Sequence, residues 1–136
     1  MSVSRSGTLY VVATPIGNLG DLTVRAAEIL TSVDLIAAED TRVTRKLLAR
    51  YDIHTPLTSY HEHNKRTKTP RLVDQLRTKD VALVSDAGMP GINDPGQELV
   101  SAAATAGLEV VTVPGPSAVT SAIALSGLPI DQFVYL

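Results

Sequence analysis

Residues 81–96 read VALVSDAGMPGINDPG, and the first five of them decide the fold. Val81 to Ser85 (VALVS) is apolar without alternation, short, and bounded at once by Asp, Gly and Pro. That is the pattern of a strand buried on both faces. Asp94-Pro95 then offers a cap and a first-turn proline for a helix that closes at Gly107. The same unit recurs on either side. Thr8 to Ala13 (TLYVVA) is a strand, followed by a helix with Leu22, Ala26, Ile29, Leu30 and Val33 in its stripe and Asp21 as cap. Asp34 to Glu39 (DLIAAE) is a second strand, and Val43, Leu47 and Leu48 mark a second helix capped by Asp40 or Thr41. Leu57 to Tyr60 is a third strand, and Pro70 opens a helix capped by Thr69 that runs through Leu72, Val73 and Leu76. Glu109 to Val113 (EVVTV) is a fifth strand, and Pro116 opens a last helix that stops near Gly127.

Strand and helix thus alternate five times, with strands apolar throughout. The fold class is α/β: a five-stranded, mostly parallel sheet with helices on both faces. At 136 residues the chain fits one domain of ordinary size. Residues 1–130 are assigned to it. Asp131 to Leu136 (DQFVYL) reads as the start of a further strand or a linker, which either completes this sheet or leads into a second domain. Apolar residues are 44% and charged residues 19%, which excludes a disordered chain, and an aromatic share of 4% means a core of Val, Leu, Ile and Ala. No apolar run is long enough to span a bilayer and no secretory signal opens the chain. The absence of Cys removes disulfides, thiolate metal sites and a cysteine nucleophile. A soluble cytoplasmic domain without membrane partners is the expectation.

The net charge of −2 hides a split. Between Arg42 and Lys79 lie ten basic residues against three acids, Asp52, Glu62 and Asp74, a balance of +7; the rest of the chain carries two against eleven, or −9. These cations either decorate the solvated faces of two helices or form a surface for a polyanion.

In an open parallel sheet, ligands bind beyond the carboxyl ends of the strands. Three loops leave strands there and are rich in Gly, Pro and small polar residues: 14–21 (TPIGNLGD), 86–96 (DAGMPGINDPG) and 114–118 (PGPSA). Each alone could be a turn; three on one edge favour a shared small-molecule cleft. The first is neither GxGxxG nor GxxxxGK[ST], so ordinary dinucleotide and P-loop readings lose their main support, and no GxSxG or HExxH is present. His61 and His63 could face one way on a strand and bind metal, but without Cys or a carboxylate triad no metal site is assigned. Asp86 follows the strand of 81–85 directly, where it could meet a ligand or cap its own loop. Asp40 suits a helix cap, whereas Glu39 at the strand tip is harder to explain so.

The strings VATPIGNLGDLTVRA, IAAEDTRVTRKLL, HEHN, ALVSDAGMPGINDPG and VPGPSA, in this order from about Leu9 to Leu128, resemble the ribosomal RNA small subunit methyltransferase I family of the tetrapyrrole-methylase superfamily. The resemblance implies a tetrapyrrole-methylase-like N-terminal domain. It implies 2′-O-methylation of a cytidine ribose in 16S rRNA near the decoding site of the small ribosomal subunit, with S-adenosyl-L-methionine as donor. It also implies a two-domain homodimer of about twice this length, with the cofactor between the domains. A proline of the first loop lines the cofactor site in the superfamily, and Pro15 matches it. Ser85-Asp86-Ala87 takes the place of a Gly-Asp-Pro cofactor segment and departs from it at Ala87, with Gly88 and Met89 following; Pro114-Gly115-Pro116-Ser117 matches the Pro-Gly-x-Ser/Thr turn, with Ala118 following. The GPGDP pattern of the tetrapyrrole enzymes is absent from loop one, which argues for RNA. Glu39 or Asp40 is then the candidate to orient the ribose or take its proton. Arg42, Arg45, Lys46, Lys65, Arg66 and Lys68 are candidates for phosphate contacts, with His61 and Asn64 for a base or ribose edge. Two other readings stand beside this one: a relative acting on a tetrapyrrole or protein side chain, and a non-catalytic RNA-binding domain.

Overall fold

A computed structural model describes residues 5–92 and 95–136. The strands are β1 (Thr8–Val12), β2 (Leu35–Ala38), β3 (Leu57–Ser59), β4 (Val81–Val84) and β5 (Glu109–Val113). The helices are α1 (Val24–Ser32), α2 (Thr41–Arg50), α3 (Lys65–Gln75), α4 (Gly96–Thr105) and α5 (Ala118–Leu125). The five strands form one sheet in the order β3-β2-β4-β1-β5, and every pairing is parallel. The fold is therefore the expected α/β class, with the sheet wholly parallel.

Side chains alternate between two cores. Leu9 and Val11 of β1, Ala37 of β2 and Val81 and Leu83 of β4 pack with Leu72, Leu76, Leu99 and Ala103 of the α3/α4 layer. Val12, Ile36, Ala38, Ala82 and Val84 pack on the opposite face with Ala26, Leu30, Leu47 and Leu48 of α1 and α2. Both faces being covered is why the strands read as unbroken apolar runs. The layering follows from handedness. The steps β1→β2→β3 run toward one edge and the steps β3→β4→β5 run back, so right-handed crossovers put α1 and α2 on one face and α3 and α4 on the other.

Local signals hold at most helix ends. Asp40 caps α2, its carboxylate accepting the main-chain N–H of Arg42 at 2.9 Å. After α4, Gly107 adopts φ +76° while Leu108 N–H donates to Ala103 C=O and Gly107 N–H to Ala104 C=O. That pair of bonds is the Schellman stop expected of this glycine. Asp94 lies outside the described residues, and Pro95 precedes the first residue of α4. Ser117 caps α5.

Three helix starts differ from the sequence reading. Pro116 does not open α5, which begins at Ala118 because the Ser117 side chain takes the cap position, and α1 and α3 also start elsewhere. Thr23, not Asp21, caps α1, because Asn18 caps a 3-10 turn at Leu19–Asp21 and displaces Asp21 from the cap position. Helix α3 begins at Lys65 instead of Pro70, which sits inside it. The added turns are held by tertiary bonds: Tyr60 Oη to Thr69 Oγ1 at 2.7 Å, Lys68 Nζ donating to Thr58 Oγ1, and Lys65 to Glu62 and Glu98. Residues 131–136 join no ladder of the sheet and are exposed.

Candidate functional site

The chain leaving β4 passes to the α3/α4 face, whereas the chains leaving its neighbours β1 and β2 pass to the other. A crevice therefore opens beyond the carboxyl end of the sheet on each side of β4. The expected cofactor residues border the crevice beside β1, and Glu39, Asp40, Arg42 and His61 line the one beside β2, whereas the other expected RNA contacts lie outside both.

The β1/β4 crevice is built from main chain. Thr14 and Gly88 exchange both N–H···O=C bonds at 3.0 Å, an isolated antiparallel bridge across the ends of the two strands. Thr14 Oγ1 donates to Ser85 C=O at 3.2 Å, and Ser85 Oγ donates to Ala87 C=O at 3.2 Å. Gly88 has φ +77°, and a Cβ there would lie 3.6 Å from Ile16 and 3.9 Å from the Pro116 carbonyl. All three loops thus meet at Gly88. Pro15 and Ser85 are buried, and Asp86 and Ala87 are exposed beside them. Met89 is half-buried, and Ser117 stands at the α5 cap with Ala118 after it. The expected cofactor residues are therefore neighbours in space.

The β2/β4 crevice is polar. A cavity of about 430 Å³ is lined by Glu39, Asp40, Arg42, Ser59, His61 and Asp86. Asp86 Oδ1 accepts the main-chain N–H of Asp40 at 3.0 Å, which ties the loop after β4 to the tip of β2. The Asp40 carboxylate takes three bonds from Arg42: main-chain N–H at 2.9 Å, Nε at 3.1 Å and Nη2 at 3.0 Å. The guanidinium holds the Asp40 carboxyl below its ordinary range, and the carboxylate in turn raises Arg42. A carboxylate so engaged is a weak base. Asp40 therefore serves as cap and arginine clamp, while Glu39, at the strand tip, lines the same cavity.

The expected RNA contacts separate into two groups. Arg42, Arg45 and Lys46 fall on exposed positions of α2, with Arg50 one turn further on, and Arg66 is exposed on α3. Lys65 is different: its ammonium sits between Glu98 Oε1 at 2.7 Å and Glu62 Oε1 at 3.0 Å, and it ties α3 to α4. Those carboxylates raise its pKa, Glu98 first. Asn64 braces its own loop, accepting the His61 main-chain N–H at 2.8 Å and donating to Ser59 Oγ at 3.0 Å. Lys68 donates to Thr58. Ser59 was missed from sequence, although it ends β3 as Glu39 follows β2 and Asp86 follows β4. The strand-end rule alone would have found it. Among the described residues no group of three or more His, Cys, Asp and Glu is arranged to hold a metal ion.

An all-parallel sheet with this strand order and a crevice on each side of β4 is the tetrapyrrole-methylase-like fold. A conserved hypothetical protein of Aeropyrum pernix K1 superposes on 96% of this chain and 46% of its own with a TM-score of 0.75 at 20% identity. Uroporphyrin-III-C-methyltransferase of Thermus thermophilus superposes on 93% and 54% with a TM-score of 0.68 at 26% identity. The chain belongs to the tetrapyrrole (corrin/porphyrin) methylases, whose sequence pattern matches residues 8–134.

Within the family the chain is similar to curated proteins named ribosomal RNA small subunit methyltransferase I. The Synechocystis protein is 57% identical over 95% of this chain and 47% of its own length. Those of Halalkalibacterium halodurans and Escherichia coli O157:H7 are 56% and 52% identical, over 96% and 95% of this chain and 45% and 46% of theirs. The chain spans about half the length of the curated relatives it matches.

Proposed function

We propose that residues 1–130 are the N-terminal domain of an S-adenosylmethionine-dependent rRNA methyltransferase, with 131–136 leading into a second domain. Its reaction is methylation of the 2′-oxygen of a cytidine ribose in 16S rRNA, near the decoding site of the small ribosomal subunit. The full-length protein works in the cytoplasm as a homodimer, and the present chain alone is inactive. Among the described residues no helix is long and apolar enough to cross a membrane. The observation that carries the reading is the junction at β4, where Asp86 of the main-chain-built crevice bonds the Asp40 N–H of the carboxylate-bearing β2 tip. A cofactor crevice and a substrate cavity there share one residue.

The β1/β4 crevice fits the donor chemically. Ala87 offers exposed main chain with almost no side chain in the way, and the exposed Asp86 carboxylate answers a cation or a hydroxyl. Met89, Ser117 and Ala118 extend the surface, and Pro15, Ser85 and Gly88 are buried at its base. The cofactor, when bound, supplies a methyl group on a sulfonium. Glu39 orients the ribose 2′-hydroxyl and accepts its proton, and Arg42, held by Asp40, balances the charge that develops nearby. Arg45, Lys46 and Arg66 take the flanking phosphates.

The test uses the full-length enzyme, labelled S-adenosylmethionine and small ribosomal subunits lacking the modification. Label on a ribose 2′-oxygen of the small-subunit rRNA is the expected result. Cofactor binding with no label on rRNA would overturn the substrate assignment and favour a tetrapyrrole or protein side chain.

A further inference from the structure

The loop after β3 is built to aim one imidazole. His61 contributes its main-chain N–H to Asn64 Oδ1 at 2.8 Å, and its carbonyl accepts the N–H groups of Asn64 and Lys65 at 3.1 and 3.0 Å. The ring itself is tied: the main-chain N–H of His63 donates to His61 Nδ1 at 3.2 Å. A ring nitrogen that accepts carries no proton, so the neutral tautomer is Nε2–H. The other ring nitrogen is therefore a hydrogen-bond donor. Ser59 is committed in the same sense, since its Oγ accepts from Asn64 Nδ2 at 3.0 Å and its own O–H remains to donate.

Both residues line the cavity that holds Glu39 and Asp86. The β3 side of this cavity thus offers donors. The β2/β4 side offers as acceptor, beside the Glu39 given to the ribose, the Asp86 oxygen that does not take the Asp40 N–H. A phosphate suits it poorly, because three carboxylates line it against one guanidinium. A nucleobase edge with an acceptor next to an amino group, as in cytosine, matches both sides; uracil puts an N–H and a carbonyl where the cavity wants the reverse.

We infer that His61, through Nε2–H, reads an acceptor atom of the target pyrimidine and sets preference for an amino-bearing base, with Asn64 as its positioning residue. This rests on the RNA methyltransferase reading above. It deepens that reading by assigning the cavity between β2, β3 and β4 to the base instead of the phosphate.

The experiment measures kcat and KM of the full-length enzyme on unmodified small subunits carrying cytidine or, by mutation, uridine at the target position. His61→Ala should raise KM for the cytidine substrate about tenfold and shrink the cytidine-over-uridine preference by a similar factor, the value of one good hydrogen bond. S-adenosylmethionine affinity should not change. His61→Gln, whose amide N–H₂ reaches the place of Nε2, should restore most of both and leave the pH profile of kcat unchanged. Asn64→Ala should raise KM with the same loss of preference, and the double variant should be no worse than His61→Ala. Unchanged KM and preference in His61→Ala would overturn the inference. So would a His61→Gln variant as impaired as His61→Ala with the basic limb of its pH profile lost, which would make His61 a proton acceptor. A wild type that binds cofactor yet labels no rRNA overturns the underlying reading instead, and the two failures are told apart by that control.

Discussion

Gly7 is buried where the chain enters β1, and no other residue fits there. A Cβ built on it would lie 1.7 Å from the Lys79 carbonyl oxygen, 2.3 Å from the Lys79 carbonyl carbon and 2.9 Å from the Leu76 oxygen. All three are main-chain atoms, so the clash is not relieved by rotating a side chain. The segment would have to lift by more than an ångström. Gly7 N–H would leave the Leu76 carbonyl it meets at 2.7 Å, and the adjoining Thr8 N–H to Asp80 Oδ1 bond of 2.8 Å would be strained with it. Leu9, fully buried two residues on, would repack. Two hydrogen bonds and partial loss of one leucine's packing put Gly7→Ala at about 2–4 kcal/mol of destabilisation. For a domain of this size that is a fall in melting temperature of roughly 6–15 °C. Gly107→Ala is the matched comparison. Its φ is +76° but nothing lies within 4 Å of the Cβ position, so the cost is only the left-handed backbone, about 1 kcal/mol. Urea denaturation of both variants measures the difference. If Gly7→Ala lost no more than Gly107→Ala, the tight seating of the chain beneath the α3–β4 turn would be wrong.

The charged groups offer further tests. Asp40 has a lowered pKa through its hydrogen bonds with Arg42, so its contribution to stability is present above the unfolded value and disappears as pH falls through the folded one. A carboxyl titration should therefore find Asp40 below its ordinary 3.8, and Arg42→Ala should return it upward. RNA affinity of the full-length enzyme should fall steeply with salt. Arg45→Ala and Lys46→Ala should each reduce the log–log slope by about 1, while Lys65→Ala, already paired with two carboxylates, should leave the slope nearly unchanged. Asp86→Ala should weaken S-adenosylmethionine binding more than RNA binding in calorimetric titrations. Tyr60→Phe removes a buried hydroxyl bonded to Thr69 at 2.7 Å and should cost about 1 kcal/mol in denaturant midpoint analysis.

The sheet was readable because its signals are local. A four-residue strand such as Val81–Val84, buried along its whole length, can only be unbroken apolar sequence, and a left-handed stop after α4 calls for a glycine at 107. The start of α3 was not readable. Pro70 obeys a first-turn rule, but the turns before it are secured by partners remote in sequence, above all Glu98, more than thirty residues from Lys65. The same ion pair engages the Lys65 ammonium within the fold. Sequence counts cations; which of them are engaged is a tertiary fact. Asn64 makes the point for polar side chains, since both ends of its amide are used to fix Ser59 and His61.

Why the chemistry gathers at β4 follows from the order of the strands. The chain first winds toward the β3 edge, then returns and inserts β4 between β2 and β1. That insertion sets β4, whose helix goes to the α3/α4 face, between β2 and β1, whose helices both go to the other face. The residues just past its end, Ser85 to Gly88, therefore border two crevices at once. On one side they meet the main chain of loop one through the Thr14–Gly88 bridge; on the other, Asp86 meets the acidic tip of β2. A group-transfer enzyme needs donor and acceptor side by side with their reacting atoms in line. An exposed carboxylate at the tip of the inserted strand places a single residue between both. The exposed basic face of α2 begins at Arg42, in the β2/β4 cavity itself, and continues along Arg45, Lys46 and Arg50, so a polyanion lying on that helix would be led to the cavity. Reversing the charge of Arg45 and Lys46 together should then weaken RNA binding without altering the cofactor affinity set across β4.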